Sequence, residues 1–174
     1  GNSSNDTGSS GSGVKLNAHS STDNYKTLTR SVFKFDTSSI TTANAVTAAT
    51  LTVTSSSAAT DDFGGSVGVT AGSSASDTAL VDSTRYASDI ALSTITGSQD
   101  VVFTFNSTGE EAIDVDGITA VALKSSWDID DSAPTWSSNA EDTLPMYYAD
   151  NSSTGDDPTP SVTYFPQSEV SSTV

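Results

Sequence analysis

Apolar and polar residues alternate along several short segments of this chain, and this two-residue period constrains its fold more than any other feature. The segment 27–36 (TLTRSVFKFD) places Phe33 and Phe35 on one side. The segment 46–54 likewise places Leu51 on an apolar side, with threonines on the other. Successive side chains of a β-strand point to opposite faces, so this pattern predicts strands with one buried face.

Further short segments have the character of strands, and clusters of Gly, Asp, Asn, Ser and Pro separate them. They are 67–70, 101–105, 118–124, 146–148 and 161–165. Helical patterns are confined to three short stretches, at 38–43, 84–91 and 109–115. Many short strands with turns between them predict an all-β fold, an antiparallel β-sandwich of the jelly-roll type. Its core would join Phe33, Phe35, Leu51, Phe103 and Phe105.

The composition along the chain predicts one folded domain with polar ends. Residues 1–12 (GNSSNDTGSSGS) contain no apolar side chain, which is typical of a flexible arm. Residues 13–166 carry the predicted strands and form the single domain, and residues 167–174 form a C-terminal tail. A chain of 174 residues is long enough for one sizeable core.

The chain is strongly acidic, with 22 Asp and Glu against 6 Lys and Arg and a net charge of -16. Such a charge repels nucleic acids and anionic lipids, so neither is an expected partner. No apolar run approaches the ~20 residues that a membrane-spanning helix needs, so membrane insertion is not expected. Adaptation to a salty environment is one hypothesis, because salt screens self-repulsion. An acidic surface protein from ordinary surroundings is the other.

Segments near both ends of the domain resemble DNRLRE-type domains. The same series of segments recurs in tail, fibre and capsid-accessory proteins of tailed viruses. The segments are 30–36 (RSVFKFD), 37–40 (TSSI), 48–53 (AATLTV), 132–139 (SAPTWSSN), 147–150 (YYAD) and 160–164 (PSVTY). The resemblance implies a jelly-roll sandwich similar to carbohydrate-binding modules, used as a building block on cell surfaces and virions.

The residues of the opening motif have structural interpretations. Arg30 is one of two arginines in a very acidic chain, so we expect a bidentate pair with a carboxylate. Asp36, with Ser38 and Ser39, is expected to bond nearby backbone amides and turn the chain.

The sequence predicts no catalytic residues. His19 is the sole histidine, and no G-x-S-x-G motif accompanies it, so a Ser–His–acid triad is not expected. Ser31 and Lys34 match an S-x-x-K pattern, but in a strand their side chains point to opposite sides. The chain is therefore expected not to be an enzyme and to need no cofactor apart from the calcium ion considered next.

Calcium binding is a hypothesis for Asp128, Asp130 and Asp131, and less so for the pair Asp114 and Asp116. Alternate acids on an extended segment present several oxygen ligands on one side, and Ca²⁺ takes six to eight oxygens. A chain rich in aspartate also produces such runs by chance, in which case these acids are solvated surface charges.

Aromatic residues near the C-terminal end suggest a glycan platform. Trp136, Tyr147 and Tyr148, with Trp127, would offer ring faces to the apolar faces of sugars. The alternative is that these rings belong to the core or to an interface.

Together these observations favour a non-enzymatic structural protein of a virion surface, such as a capsid decoration, turret, head-fibre or tail component. The expected partners are other virion or surface proteins, including further copies of the chain in a homo-oligomer, and a host glycan is a further candidate. The alternative is an extracellular adhesin, filament subunit or carbohydrate-binding module. Either interpretation places the chain on a virion surface or outside a cell.

Overall fold

Two antiparallel β-sheets pack face to face in a computed structural model that describes residues 10–72, 82–152 and 154–166. The strands of the larger sheet are β1 (Ser10–Ala18), β2 (Tyr25–Thr29), β4 (Asn44–Ser55), β5 (Thr60–Asp61), β8 (Gln99–Thr104), β10 (Glu141–Tyr147) and β11 (Thr159–Pro166). The strands of the smaller sheet are β3 (Ser31–Asp36), β6 (Ser66–Ala71), β7 (Ile90–Ala91) and β9 (Ile118–Ser125). The predicted all-β sandwich is confirmed.

The order of the strands is that of a jelly roll. Antiparallel pairs are nested along the chain, β1 with β10, β3 with β9, β4 with β8 and β6 with β7. Successive pairs alternate between the two sheets, whose neighbours run β1-β10-β4-β8 and β3-β9-β6-β7. Strand β4 pairs with β8 along one edge. Its other edge is shared by β11 and by the end of β10, where Met146 pairs with Ser55.

The core lies between the sheets and is built by the inward side of each alternating strand. Leu51, Phe103 and Phe105 are buried in it. Phe33 and Phe35 are half-buried and pack against it from β3, with their ring centroids 6.2 Å apart. All five residues therefore share one sheet-on-sheet core.

The segment 27–36 is not the single strand that its alternation predicts. It breaks at Arg30, where β2 ends in the larger sheet and β3 begins in the smaller one. The apolar residues change parity across the break, because Leu28 of β2 is even-numbered whereas Phe33 and Phe35 of β3 are odd-numbered. A single strand would place Leu28 and Phe33 on opposite faces, whereas the change of sheet turns both toward the inner side of the sandwich.

The predicted arm is shorter than the sequence suggests. Residues 10–12 belong to β1, which pairs with β10 through seven registered residues and which the sequence did not predict. Backbone pairing in the middle of a sheet stabilises a strand with few apolar side chains. Residues 1–9 of the arm and the tail 167–174 lie outside the described residues.

The α-helices of the described residues are short, namely α1 (Ser107–Glu111) and α2 (Ser126–Ile129). Helix α1 overlaps the predicted stretch 109–115 and begins earlier, because Asn106 accepts a hydrogen bond from the Gly109 amide at 3.0 Å. The stretch 38–43 forms turns, and 84–91 contains a bridge and β7 in place of a helix. None of the helices in these ranges is long and apolar enough to span a bilayer.

Candidate functional site

The outer face of the larger sheet carries a regular array of threonines. In β4 the core residues Ala49, Leu51 and Val53 alternate with Thr50, Thr52 and Thr54, which lie on its outer side. Neighbouring strands extend the array, since Thr50 pairs with Ser161 and Thr104, and Thr52 with Thr159 and Val102. We name this surface the threonine face, and it comprises Ala48, Thr50, Thr52, Val102, Thr104, Thr159, Ser161 and Thr163.

The threonine face has no charged residue, although charged residues make up 16% of the chain. The strands β4, β8 and β11 contain one charged residue, Asp100, at the rim. Its carboxylate accepts a hydrogen bond from Thr54 Oγ1 at 3.0 Å. The other half of the same sheet is charged on its outer face, where Lys15 and Glu141 form an ion pair at 2.6 Å. The threonine face is thus an uncharged area on a molecule of charge -16.

Arg30 joins the break between β2 and β3 to helix α2. Its Nε lies 2.7 Å from Asp128 Oδ2, and its Nη2 lies 2.6 Å from Asp128 Oδ1. Hydrogen bonding to Asp128 raises the pKa of the guanidinium. This is the bidentate carboxylate pair that the sequence favours for this arginine.

The second arginine contacts one further acid that the sequence suggested as a calcium ligand. Arg85 Nη1 lies 2.8 Å from Asp130 Oδ1, and Arg85 Nε lies 2.8 Å from Asp89 Oδ1. The hydrogen bond from Arg85 lowers the pKa of Asp130. Guanidinium groups therefore occupy two of the three proposed ligands, Asp128 and Asp130, while Asp131 is exposed.

The backbone also differs from the premise of the calcium hypothesis. Residues 126–129 form α2, so the acids do not alternate along an extended segment. Within the described ranges, no three His, Asp or Glu residues are grouped so as to hold a metal ion. The structure gives calcium binding no support at Asp128, Asp130 and Asp131.

Lys124 is buried in β9 beside these ion pairs, with 1% of its surface exposed. Its Nζ donates a hydrogen bond to the Asp82 carbonyl oxygen. Burial lowers the pKa of the ammonium, because removing it from water disfavours the charged form. Three of the six basic residues thus gather around α2.

A cleft of about 400 Å³ lies between α2 and the inner side of β1 and β2. Its floor is apolar, with Leu16 and Leu28 paired in register across the two strands. Leu28 is 46% exposed although it lies on the inward side of β2. The lining residues are Leu16, Tyr25, Leu28, Trp127, Asp128, Asp131, Ser132, Ala133 and Pro134.

The predicted glycan platform is not assembled in one place. Trp136 precedes β10, whereas Tyr147 ends it, and a seven-residue strand separates its ends by about 20 Å. Tyr148 packs against the core, and burial raises the pKa of its hydroxyl. Trp127 and Tyr25 instead meet at the cleft, which is the aromatic site that the sequence missed.

His19, Ser31 and Asp36 each take part in hydrogen bonds within the fold. His19 is exposed, and its Nδ1 accepts a hydrogen bond from the Ser21 amide at 3.0 Å. Ser31 Oγ donates to the Gly13 carbonyl at 2.6 Å. Asp36 accepts hydrogen bonds from the amide and the hydroxyl of Ser38, which lower the pKa of its carboxyl group. These are the contacts of strand ends and turns.

Asp142 is an acid of β10 with 1% of its surface exposed. It accepts hydrogen bonds from the Phe63 amide at 2.9 Å and from Trp127 Nε1 at 3.0 Å. Burial raises the pKa of its carboxyl group despite these two donors. Asp142 thereby fixes Trp127 at the side of the cleft and the turn that follows β5.

Of the threonine face and the cleft, the threonine face is the one that the sequence pattern indicated. The alternation Thr50-Leu51-Thr52-Val53-Thr54 predicts a threonine row opposite the core, but not the strands that extend it. The cleft had no such signal, because α2 was not predicted and is distant in sequence from β1 and β2.

Comparison with protein-family models, curated proteins and solved structures found no match to this chain. Its topology defines its class, an all-β protein of the jelly-roll type. The resemblance to DNRLRE-type domains remains an expectation from the quoted segments.

Proposed function

We propose that this protein is a non-enzymatic structural subunit of a virion surface, and that copies associate through the threonine face. The observation that carries the proposal is the uncharged character of this face on a molecule of net charge -16. Two copies repel each other wherever acidic surfaces meet. Where threonine faces meet, no like charges come into direct contact, and salt screens the repulsion between the remaining acidic surfaces.

The chemistry of the face suits such a contact. Threonine side chains are short and stiff at χ1, so ordering them costs little conformational entropy. Their hydroxyl groups donate and accept hydrogen bonds, and Val102 adds an apolar side chain that is 48% exposed. A patch of eight residues is smaller than the ~800 Å² per partner of a standard interface, so one contact is weak. Repetition on a particle makes weak contacts cumulative.

The alternative function is an extracellular adhesin, filament subunit or carbohydrate-binding module. Electron microscopy of the native source with antibodies against the chain separates the two locations. Label on virus particles supports the proposal, whereas label on cell filaments supports the alternative. Retention on a glycan array would also favour the alternative.

Cross-linking tests the contact, because the chain has no cysteine. The variants Thr104→Cys and Thr163→Cys place single thiols on exposed positions of the face, and Ser93→Cys places one on an exposed position elsewhere. A short bis-maleimide in about 1 M NaCl, where the Debye length is ~3 Å, is expected to link the two face variants into dimers more than Ser93→Cys. Equal yields for all three variants would contradict the contact.

A charge placed on the face provides the second test. Thr52→Lys adds one charge to the centre of the face in the Thr104→Cys background, and Thr27→Lys adds the same charge to β2 of the same sheet. We expect Thr52→Lys to reduce the dimer yield and Thr27→Lys to leave it unchanged. The result is decisive because both changes replace a half-buried threonine in a strand.

A further inference from the structure

The cleft beside α2 is independent of the threonine face, because it opens on the inner side of β1 and β2. Leu16 and Leu28 form its floor, and Tyr25 and Trp127 complete the lining beside them. A volume of about 400 Å³ is within the range of pockets that hold a small group. The cleft is therefore large enough for one side chain or one small molecule.

Most polar groups of the lining side chains are already engaged within the protein. The Tyr25 hydroxyl donates to the Pro134 carbonyl at 2.5 Å, and Trp127 Nε1 donates to Asp142 at 3.0 Å. Both oxygens of Asp128 accept hydrogen bonds from Arg30. A ligand with many hydroxyl groups needs free donors and acceptors, so this lining does not suit a sugar.

One charged group remains available. The Asp131 carboxylate is exposed and has no hydrogen bond or ion pair with a residue of the described ranges. Among the described residues, none that lines the cleft is basic, and Arg30, which contacts the lining at Asp128, is neutralised there. The net charge of -16 draws cations toward the whole molecule. The cleft thus offers two aromatic rings in its lining, an apolar floor and one free carboxylate.

We propose that this cleft binds a lysine or arginine side chain of a partner polypeptide. The aliphatic stem would lie on Leu16 and Leu28, with the cationic head between the rings and Asp131. Aromatic faces attract cations through their quadrupole, and a carboxylate adds an ion pair. Charge complementarity with an acidic molecule selects a basic side chain over a neutral apolar one.

Titration of the whole protein with the peptide acetyl-Gly-Gly-Lys-Gly-Gly-amide tests the proposal. The readout is the indole N–H signal of Trp127 in NMR spectra, which Trp136→Phe assigns because the chain has two tryptophans. We expect saturable shifts of this signal, and weaker binding of the same peptide with norleucine in place of lysine. Asp131→Asn is expected to weaken lysine-peptide binding about three- to fivefold. The arginine peptide is expected to bind as well.

The matched control is Asp150→Asn, which removes an exposed charge beyond the far end of β10 and is expected to leave binding unchanged. Equal weakening by both variants would mean attraction to the net charge alone and would overturn the site. Equal binding of the norleucine peptide would overturn the role of the cation. Binding of free n-butylammonium as tight as that of the peptide would assign the cleft to small amines and overturn the partner polypeptide. None of these outcomes affects the cross-linking of the threonine face.

Discussion

Arg30 and Asp128 form a two-point ion pair that ties the crossing between the sheets to helix α2, with contacts of 2.6 and 2.7 Å. The arginine lies where β2 ends in one sheet and β3 begins in the other. Asp128 belongs to α2, which continues directly from β9. The pair therefore fixes the position of α2 along one side of the cleft.

Replacing this arginine by lysine is expected to destabilise the fold by about 1–2 kcal/mol, because an ammonium cannot make both hydrogen bonds. Urea unfolding of Arg30→Lys, Asp128→Asn and the double variant measures the coupling between the two side chains. A coupling energy near zero would contradict a structural role for the pair, since additive changes mean that the side chains do not interact.

Gly65 faces Asp142 and Trp127 at a distance that leaves no room for a methyl group. A Cβ at this position would lie 2.0 Å from Asp142 Oδ2 and 2.8 Å from Trp127 Nε1. We expect Gly65→Ala to cost about 1–3 kcal/mol, measured as a lower melting temperature. Gly97→Ala is the control, because a Cβ there meets nothing within 4 Å and should be neutral. Similar melting temperatures for both variants would contradict the packing.

The buried Asp142 predicts a specific dependence of stability on pH. Burial raises the pKa of this carboxyl group in the folded state, so the folded protein binds its proton more tightly than the unfolded chain does. Its contribution to stability is complete below the unfolded pKa of about 3.9 and is lost as the pH rises through the folded pKa. The unfolding free energy of the wild type minus that of Asp142→Asn should therefore fall with rising pH. A difference that stays constant or rises would contradict this prediction.

Salt is expected to stabilise the protein, because a net charge of -16 repels itself at low ionic strength. The melting temperature should rise between 0.01 M and 1 M NaCl, over which the Debye length falls from about 30 Å to about 3 Å. A fall in melting temperature toward molar NaCl would end the hypothesis of adaptation to a salty environment. Thermal unfolding followed by circular dichroism measures the trend.

Much of the sandwich could be predicted from local patterns. Strands β3, β4, β6, β8, β9 and β11 follow the predicted segments, and the inward placement of Leu51 and Phe103 follows from alternation alone. Strand β1 could not be predicted, because its stability depends on pairing with β10 more than on its own side chains. The contacts of Asp128 and Asp130 could not be predicted for the same reason, since the two arginines that reach them are distant in sequence.

The fold class, the acidic character and the alternating rows of residues follow from local patterns, because they depend on composition and on a two-residue period. The packing of the folded chain sets which rows are neighbours, which carboxylate each arginine contacts and where a cleft remains between α2 and the sheet edge. These features join residues that are distant in sequence, and no local pattern records the distance between them.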